Sequence, residues 1–507
     1  MPARPVLSPD VALALPRRVD LIAPSTEQLA LPERAVQFGT GALLRGLVDA
    51  ILDEANRQGW FDGRVVMIGS TGSGRDRALN DQRGLFTLVT QGLVDGDATR
   101  DFRIVSSVSR ALAASSQWAE VLRCAEIPGL ELIFSNTTEV GIAFDESDAG
   151  AAPTSAPRSF PAKLTAFLLH RARTFGFDVA RAPVVIPTEL IEDNGDKLRE
   201  IVVTLARRWQ VEPAFLSWLE HVRFCNTLVD RIVPGAPGEA YAAELQSLLP
   251  YDDGMTTICE PYRLFAIEGD AELRERLRFP AADAGVIVAE SIRPYRLRKV
   301  RLLNGAHTSF VSLALLAGCT TVREAVEHPA VGAFLRAVLL DEIVPSVDVP
   351  GAEQFAREVM DRFANPFLQH QLWDITLQGT TKFRVRVVPS ILDFARTSGG
   401  TPRALALGFA GFLAFQDGSL QAKRRAAGES VPADAMGDRV RAHWSRVEDA
   451  ADGLTGFVRA VCADEDLWGV DLSTVHGFVE QVAEHLHTIR SRGAVAAIEA
   501  LELPSVR

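Results

Sequence analysis

The chain changes its hydrophobic rhythm partway along. Up to about residue 292 it consists of short apolar runs separated by Gly, Pro, Asp and Asn, the pattern of strands and tight turns. Strands are predicted at 35–38, 64–68, 85–90, 102–109, 130–134, 183–187, 264–267 and 286–289, the last two within a meander over 261–292. Helical spacing fills the gaps at 44–52, 118–124, 163–174, 196–208 and 212–219, while 145–160 reads as a loop. Beyond Arg298 the period is helical almost throughout, at 298–317, 321–327, 330–346, 351–363, 367–378, 402–414, 434–449, 453–461 and 471–501, with Asp417–Pro432 as a polar loop. Strands first and helices after predict an α/β domain over 1–292, opened by an irregular arm, and a mostly α-helical domain over 293–507.

The first strand runs directly into Gly39-Thr40-Gly41-Ala42-Leu43-Leu44 and then into a helix. Strand, glycine turn and helix start is the order in which backbone N–H groups and a helix dipole hold the pyrophosphate of a dinucleotide, so the α/β domain reads as Rossmann-type. Phe38, Gly39, Thr40, Gly41, Ala42 and Leu43 are the candidate cofactor residues. Leu44 stands where the usual third glycine would be, and an ordinary tight turn has the same local look. The next strand leads into Gly69-Ser-Thr-Gly-Ser-Gly-Arg75 rather than an acidic residue, so the choice between NAD and NADP stays open. The strand at 130–134 ends in Ser135-Asn136-Thr137, a polar cluster expected at the carboxyl edge of the sheet, where the nicotinamide ribose would lie.

The longest apolar helical pattern carries three polar residues near its start, Lys299, Asn304 and His307. At about 100° per residue they fall on one side of an α-helix, with His307 between the other two. Side chains lean toward the helix N-terminus, so an amine, an amide and an imidazole can meet at one point. A desolvated lysine amine can trade a proton near neutral pH, and the other two can donate hydrogen bonds to a carbonyl oxygen. A solvated helix face with a capping interaction is the plainer account of the same spacing.

Composition narrows the setting. With 507 residues, 47% of them apolar and 23% charged, the chain is a globular protein of more than one domain. A formal net charge of −12 with no basic tail argues against a nucleic-acid partner, and no run approaches the roughly 20 apolar residues of a membrane span. No secretory signal is visible, and the five widely spaced cysteines suggest reduced thiols in a cytoplasm. No His-x-x-x-His or Cys/His cluster points to a metal.

The combination of Gly39-Thr-Gly41, Ser135-Asn-Thr-Thr-Glu139, Asn226-Thr-Leu-Val-Asp230-Arg231 and Lys299 with Asn304 and His307 resembles the mannitol dehydrogenase family of polyol-specific long-chain dehydrogenases. The likeness covers roughly residues 34 to 480, and the lysine, asparagine and histidine are its most specific part. It implies a nicotinamide-dependent, metal-independent oxidoreductase with Lys299 as general acid and base. In that scheme Asn304 stabilises the oxyanion and His307 orients the hydroxyl. Asn194 and Asp230 are implied as further substrate-binding residues, and Lys382 as the partner of a substrate carboxylate, with Arg384 and Arg386 on the same stretch as alternatives. Segments such as Phe144-Asp-Glu-Ser-Asp148, Ile186-Pro-Thr-Glu-Leu-Ile191 and Gly379-Thr-Thr-Lys-Phe383 favour a uronate over a neutral polyol. Polyol members carry an asparagine where this chain has Thr188-Glu-Leu190. Reduction of tagaturonate to altronate is the first expectation. Fructuronate or a simple ketose is the alternative substrate, and a nicotinamide-binding sensor without turnover the alternative class.

Overall fold

The computed structural model describes residues 4–69, 74–137, 141–235, 237–445, 447 and 453–502. By internal contacts the chain divides into two compact units, Met1–Gln91 with Thr99–Ile292, and Gly92–Ala98 with Arg293–Arg507.

The first unit is organised by a six-stranded sheet. Its strands are β1 (Glu33–Phe38), β2 (Arg64–Gly69), β3 (Val108–Ala113), β4 (Leu132–Ser135), β5 (Val184–Pro187) and β6 (Arg223–Phe224). All neighbours are parallel and the order is β3-β2-β1-β4-β5-β6, the doubly wound arrangement of dinucleotide-binding proteins. The pleat explains why these strands read as nearly continuous apolar runs. Val36 and Phe38 face a core shared with the helices Trp118–Ala125 and Phe160–Thr174, while Ala35 faces the core beneath Leu47, Ile51 and Leu52. Both faces are covered, so both alternate positions are apolar.

Two further sheets complete the unit. The strand predicted at 102–109 breaks into two: Asp97–Val105 joins a four-stranded sheet, and Val108–Ala113 joins the parallel one. The break has a physical cause in buried carboxylate and carbonyl oxygens. Asp53 Oδ1 accepts from the Ser106 N–H at 2.8 Å and its hydroxyl at 3.0 Å, and the Ser107 hydroxyl donates to the Asp49 carbonyl at 2.8 Å. The meander predicted over 261–292 is instead a mixed three-stranded sheet: Leu264–Glu268 pairs antiparallel with Thr227–Asp230 and parallel with Val286–Ala289.

The second unit is helical. Its centre is α1 (Gly305–Leu316), which packs against α3 (Arg403–Phe415); between them in sequence lies α2 (Gly379–Arg386). α1 and α3 approach closely because α3 carries glycines at the crossing. A Cβ on Gly408 would lie 2.9 Å from the Ser309 carbonyl oxygen, and one on Gly411 would strike the Leu313 side chain. Several expected helices change. The segment 367–378 is helical only over Leu372–Ile375, α2 follows where no helix was predicted, and the polar loop contains the helix Ser419–Ala426. The run at 471–501 is interrupted by Gly493 at φ 89°. Among the described residues no helix is long and apolar enough to cross a membrane.

α3 begins after Pro402, which has no side chain able to cap it. Glu342 supplies the cap from another helix: its two carboxylate oxygens accept from the N–H groups of Ala404 and Leu405, both at 2.7 Å. Burial nevertheless pushes the Glu342 carboxyl up to about 7. A raised acid pKa means that its stabilising term is complete below the usual glutamate range and is lost as pH rises through about 7. The thermal midpoint of the wild type should therefore fall between pH 5 and pH 8 relative to that of Glu342→Gln. Parallel pH profiles for the two proteins would refute this.

Candidate functional site

At the carboxyl edge of the parallel sheet the chain leaves β1 through Gly39, whose φ of 131° suits only glycine. A Cβ there would sit 2.8 Å from the Asn136 carbonyl oxygen, so the turn after β1 and the turn after β4 touch through main chain. Gly41 differs: a Cβ on it would meet nothing within 4 Å. It stands at the N-cap of the helix that starts at Ala42, with open space against the first unpaired N–H groups. That is the vacant, donor-lined approach that a pyrophosphate needs, so the donor set fits a dinucleotide. Leu44, in place of the third glycine, is buried in the core, and Gly46 takes over the close approach: a Cβ on it would lie 2.8 Å from the Val233 side chain.

The other predicted cofactor residues divide by role. Thr40 is buried and its carbonyl accepts from the buried Arg45 guanidinium, which also donates to Thr257 at 2.9 Å; Arg45 thus braces the turn from behind. Ala42 and Leu43 are half-buried at the helix start. The Phe38 ring turns into the core against Phe160, at 5.3 Å between centroids, so only its main chain faces the turn. Ser135 and Thr137 both donate to the Glu189 carboxylate at 3.0 Å, and the Asn136 amide donates to the Thr188 carbonyl at 2.9 Å. Glu189, from the Thr188-Glu-Leu190 segment, is the organiser of this loop. Thr138 and Glu139, and the stretch 70–73 bearing on NAD against NADP, lie outside the described residues.

The first unit also holds two of the expected substrate residues. Asn194 is fully buried, and its amide is spent: Nδ2 donates to Pro187, Glu189 and Thr227, and Oδ1 accepts from Gly195 and Thr227. These bonds make Asn194 a clamp between β5 and the strand Thr227–Asp230. Asp230 ends that strand and is nearly buried. Its neighbour Arg231 is held by the Glu260 and Gly46 carbonyls.

In the second unit, Lys299–Asn304 is not α-helical as the spacing argument assumed. It is a π-helical turn, closed by the Gly305 N–H donating five residues back to Val300, with α1 continuing from Gly305. The wider winding carries Asn304 further round toward the side of Lys299 than an α-helix would, and such turns are frequent at functional sites. Lys299 and Asn304 are half-buried. Asn304 has no side-chain hydrogen bond among the described residues. His307 stacks on Phe363 at 4.0 Å between ring centroids and meets His370 edge-on at 5.2 Å, and its Nε2 is sealed from solvent without a partner. Burial, then the charges of His370, Arg362, Arg386 and Lys382, push the His307 imidazole well below its ordinary 6.5, so it is neutral at neutral pH.

α2 settles the orientation of the three basic candidates. Lys382 and Arg386, one turn apart, share the half-buried face whose charges act on His307, and Lys382 donates to the Ile375 carbonyl at 3.0 Å. Arg384 faces away, donating to the Asp466 carbonyl and lying over Gly469. His370 and Arg362 carry no spacing signal and emerge only from the fold.

Comparison with known proteins agrees with this geometry. Residues 33–280 match the mannitol dehydrogenase Rossmann domain and residues 291–490 the mannitol dehydrogenase C-terminal domain. The altronate oxidoreductase of Bacillus subtilis (strain 168) is 38% identical over 470 residues, covering 92% of this chain and 95% of that one. The enzyme of the same name from Pectobacterium carotovorum subsp. carotovorum is 39% identical over 479 residues, covering 92% and 96%. Among solved structures, the Pseudomonas fluorescens mannitol 2-dehydrogenase ternary complex with NAD and D-mannitol has the same fold at 22% identity and a TM-score of 0.65, covering 98% of this chain and 99% of that one. A D-sorbitol dehydrogenase, at 20% identity, gives a TM-score of 0.76 with 97% and 100% covered. A doubly wound sheet with a glycine turn, followed by a helical unit carrying the lysine, asparagine and histidine, is matched over nearly its whole length, and the chain belongs to the mannitol dehydrogenase family.

Proposed function

We propose that this protein is an NAD-dependent oxidoreductase that interconverts tagaturonate and altronate by hydride transfer at C5. The observation that carries the chemistry is the pair of uncommitted polar groups, the Asn304 amide and the His307 ring, beside Lys299 at one widened helical turn. A protein interior normally satisfies a group such as the sealed His307 Nε2, so leaving it open is a cost that a substrate oxygen would repay, and the half-buried Asn304 amide is likewise uncommitted within the described chain. The altronate oxidoreductases at 38–39% identity, matched over nearly their whole length, support the substrate assignment.

The nicotinamide, when bound, supplies the hydride chemistry. The chain's own residues do the rest. Gly39, Gly41 and the N–H groups at Ala42 and Leu43 receive the pyrophosphate, braced by Arg45. In reduction Lys299 donates a proton to the oxygen at C5 as it becomes an alkoxide, and in oxidation it withdraws the proton from the hydroxyl. Asn304 and the neutral His307 donate hydrogen bonds to that same oxygen, where negative charge develops. A neutral imidazole can orient the oxygen without competing as the acid. Lys382 lies on the substrate side of α2, and no metal is required. All five cysteines are buried and unpaired, which suits a cytoplasmic enzyme.

Lys299→Ala should lower kcat for tagaturonate reduction by about 10²–10⁴-fold, while NADH binding measured by fluorescence titration stays near wild type. Near wild-type turnover across pH would remove Lys299 from proton transfer. Asn304→Ala should cost about 10²–10³ in kcat, the usual effect of losing one oxyanion donor, and a change confined to KM would contradict that role. Gly41→Val fills the open approach, so NADH affinity should fall by about tenfold or more with the thermal midpoint unchanged. Undiminished affinity would place the pyrophosphate elsewhere.

A further inference from the structure

We propose that Arg386 reads the substrate's carboxylate and is the residue that separates sugar acids from neutral ketoses. This rests on the reading of Lys299, Asn304 and His307 as the reacting end of a uronate reductase site.

The first argument is charge. Arg386 is a half-buried guanidinium with no carboxylate in ion-pairing distance among the described residues; its one side-chain contact is a long hydrogen bond, Nη1 to the Thr308 hydroxyl at 3.5 Å. Arg301, a buried arginine of the same unit, is treated differently: it donates to Asp393 and Ser390 at 2.8 and 2.7 Å. A guanidinium has five N–H donors, so most of those on Arg386 are unspent. Lys382, one turn back, likewise has no carboxylate hydrogen bond, and the nearby Asp434 is engaged by Thr380 and Gln416. Two cations therefore lie side by side with no carboxylate hydrogen-bonded to either among the described residues, an arrangement that favours an anion between them.

The second argument is position. Gly305, between Asn304 and His307 in sequence, lets α1 press against the end of α2: a Cβ there would lie 3.2 Å from the Arg386 carbonyl oxygen. The side chain is fixed to the same stretch, since the Thr308 hydroxyl that contacts Arg386 donates to the Asn304 carbonyl at 2.8 Å. Thr308 stands four residues beyond Asn304, a rise of about 6 Å. In tagaturonate the C5 ketone and the C1 carboxylate are four carbon–carbon bonds apart, about 5 Å when extended. A ketone at Asn304 thus brings its carboxylate to Arg386. The planar guanidinium fork matches a carboxylate in two parallel hydrogen bonds, which the Lys382 point charge does not.

The test compares tagaturonate with tagatose, the same ketose bearing CH₂OH in place of the carboxylate. Arg386→Gln should lower kcat/KM for tagaturonate by about 10- to 100-fold, chiefly through KM, and leave tagatose within about twofold. Arg384→Gln, whose parent side chain faces away, should change neither. An equal fall for both substrates, or no fall for the acid, overturns the proposal. Should Arg386→Gln lose its thermal transition, Arg386→Lys decides: it keeps the charge but not the fork, and a selective loss on the acid is required. A wild-type enzyme that prefers fructuronate sinks the tagaturonate assignment alone, and the variants are then read on fructuronate against fructose. A wild type indifferent to the carboxylate in both pairs overturns the role of Arg386 as well.

Discussion

At the centre of the second unit is a backbone contact that a single methyl group would crowd. Where Gly305 faces the Arg386 carbonyl, a Cβ would sit at 3.2 Å, closer than such contacts comfortably allow. At that contact the winding changes: the turn before it is π-wound, with the Gly305 N–H reaching back to Val300, and the turn after it is α. Asn304 ends the wide turn and His307 stands in the first turn of α1, so their relative placement is set by where the winding changes. A larger residue at 305 would push α2 away or rewind the turn. Either would move the amide, the imidazole and the basic face of α2 together.

Buttressing is equally evident in the first unit. The glycine turn is not held by the glycines, which only permit it. It is held by Arg45 donating to the Thr40 carbonyl and by the Gln37 amide, which donates to the Gly39 carbonyl at 3.2 Å and to Asp49 at 3.3 Å. Glu189 does the same for the Ser135–Thr137 loop, accepting from hydroxyls and from the Thr137 N–H. These carboxylates and cations are buried, where hydrogen bonds are strong and loss of a partner is costly. A rigid, pre-formed turn spares the cofactor the entropy of ordering it.

How much of this was legible from the residues follows from the range of each interaction. The strand–glycine–helix unit at 35–52 and the parallel strands were legible because period and turn chemistry are local. The partition of 102–109 was not, since what breaks the strand is Asp53 and the Asp49 carbonyl, some fifty residues away in sequence. The π turn does not follow from a spacing of 100° per residue; it emerges only in the fold, where Gly305 at its end faces the Arg386 carbonyl 81 residues along the chain. Nor does the sequence show how Asn194 is held. An asparagine ahead of a glycine gives no sign of its five hydrogen bonds. Lys382, Arg384 and Arg386 were equivalent as a stretch and became inequivalent once the stretch proved to be a helix, whose period puts two of them on one face.

The charge of the whole chain sharpens what that face must do. At −12 the molecule as a whole repels a sugar acid, yet charges more than about 8 Å apart are largely screened at physiological ionic strength. Many surface arginines are neutralised locally by carboxylates, as in the Arg173–Glu212 and Arg439–Asp464 pairs. Attraction for an anion is therefore confined to places where cations are left unpaired and partly desolvated. The basic face of α2 is such a place, and the same desolvation that keeps its cations costly keeps His307 neutral. A carboxylate bound there would offset the cations' burial, which under the proposed reading is where its binding energy would come from.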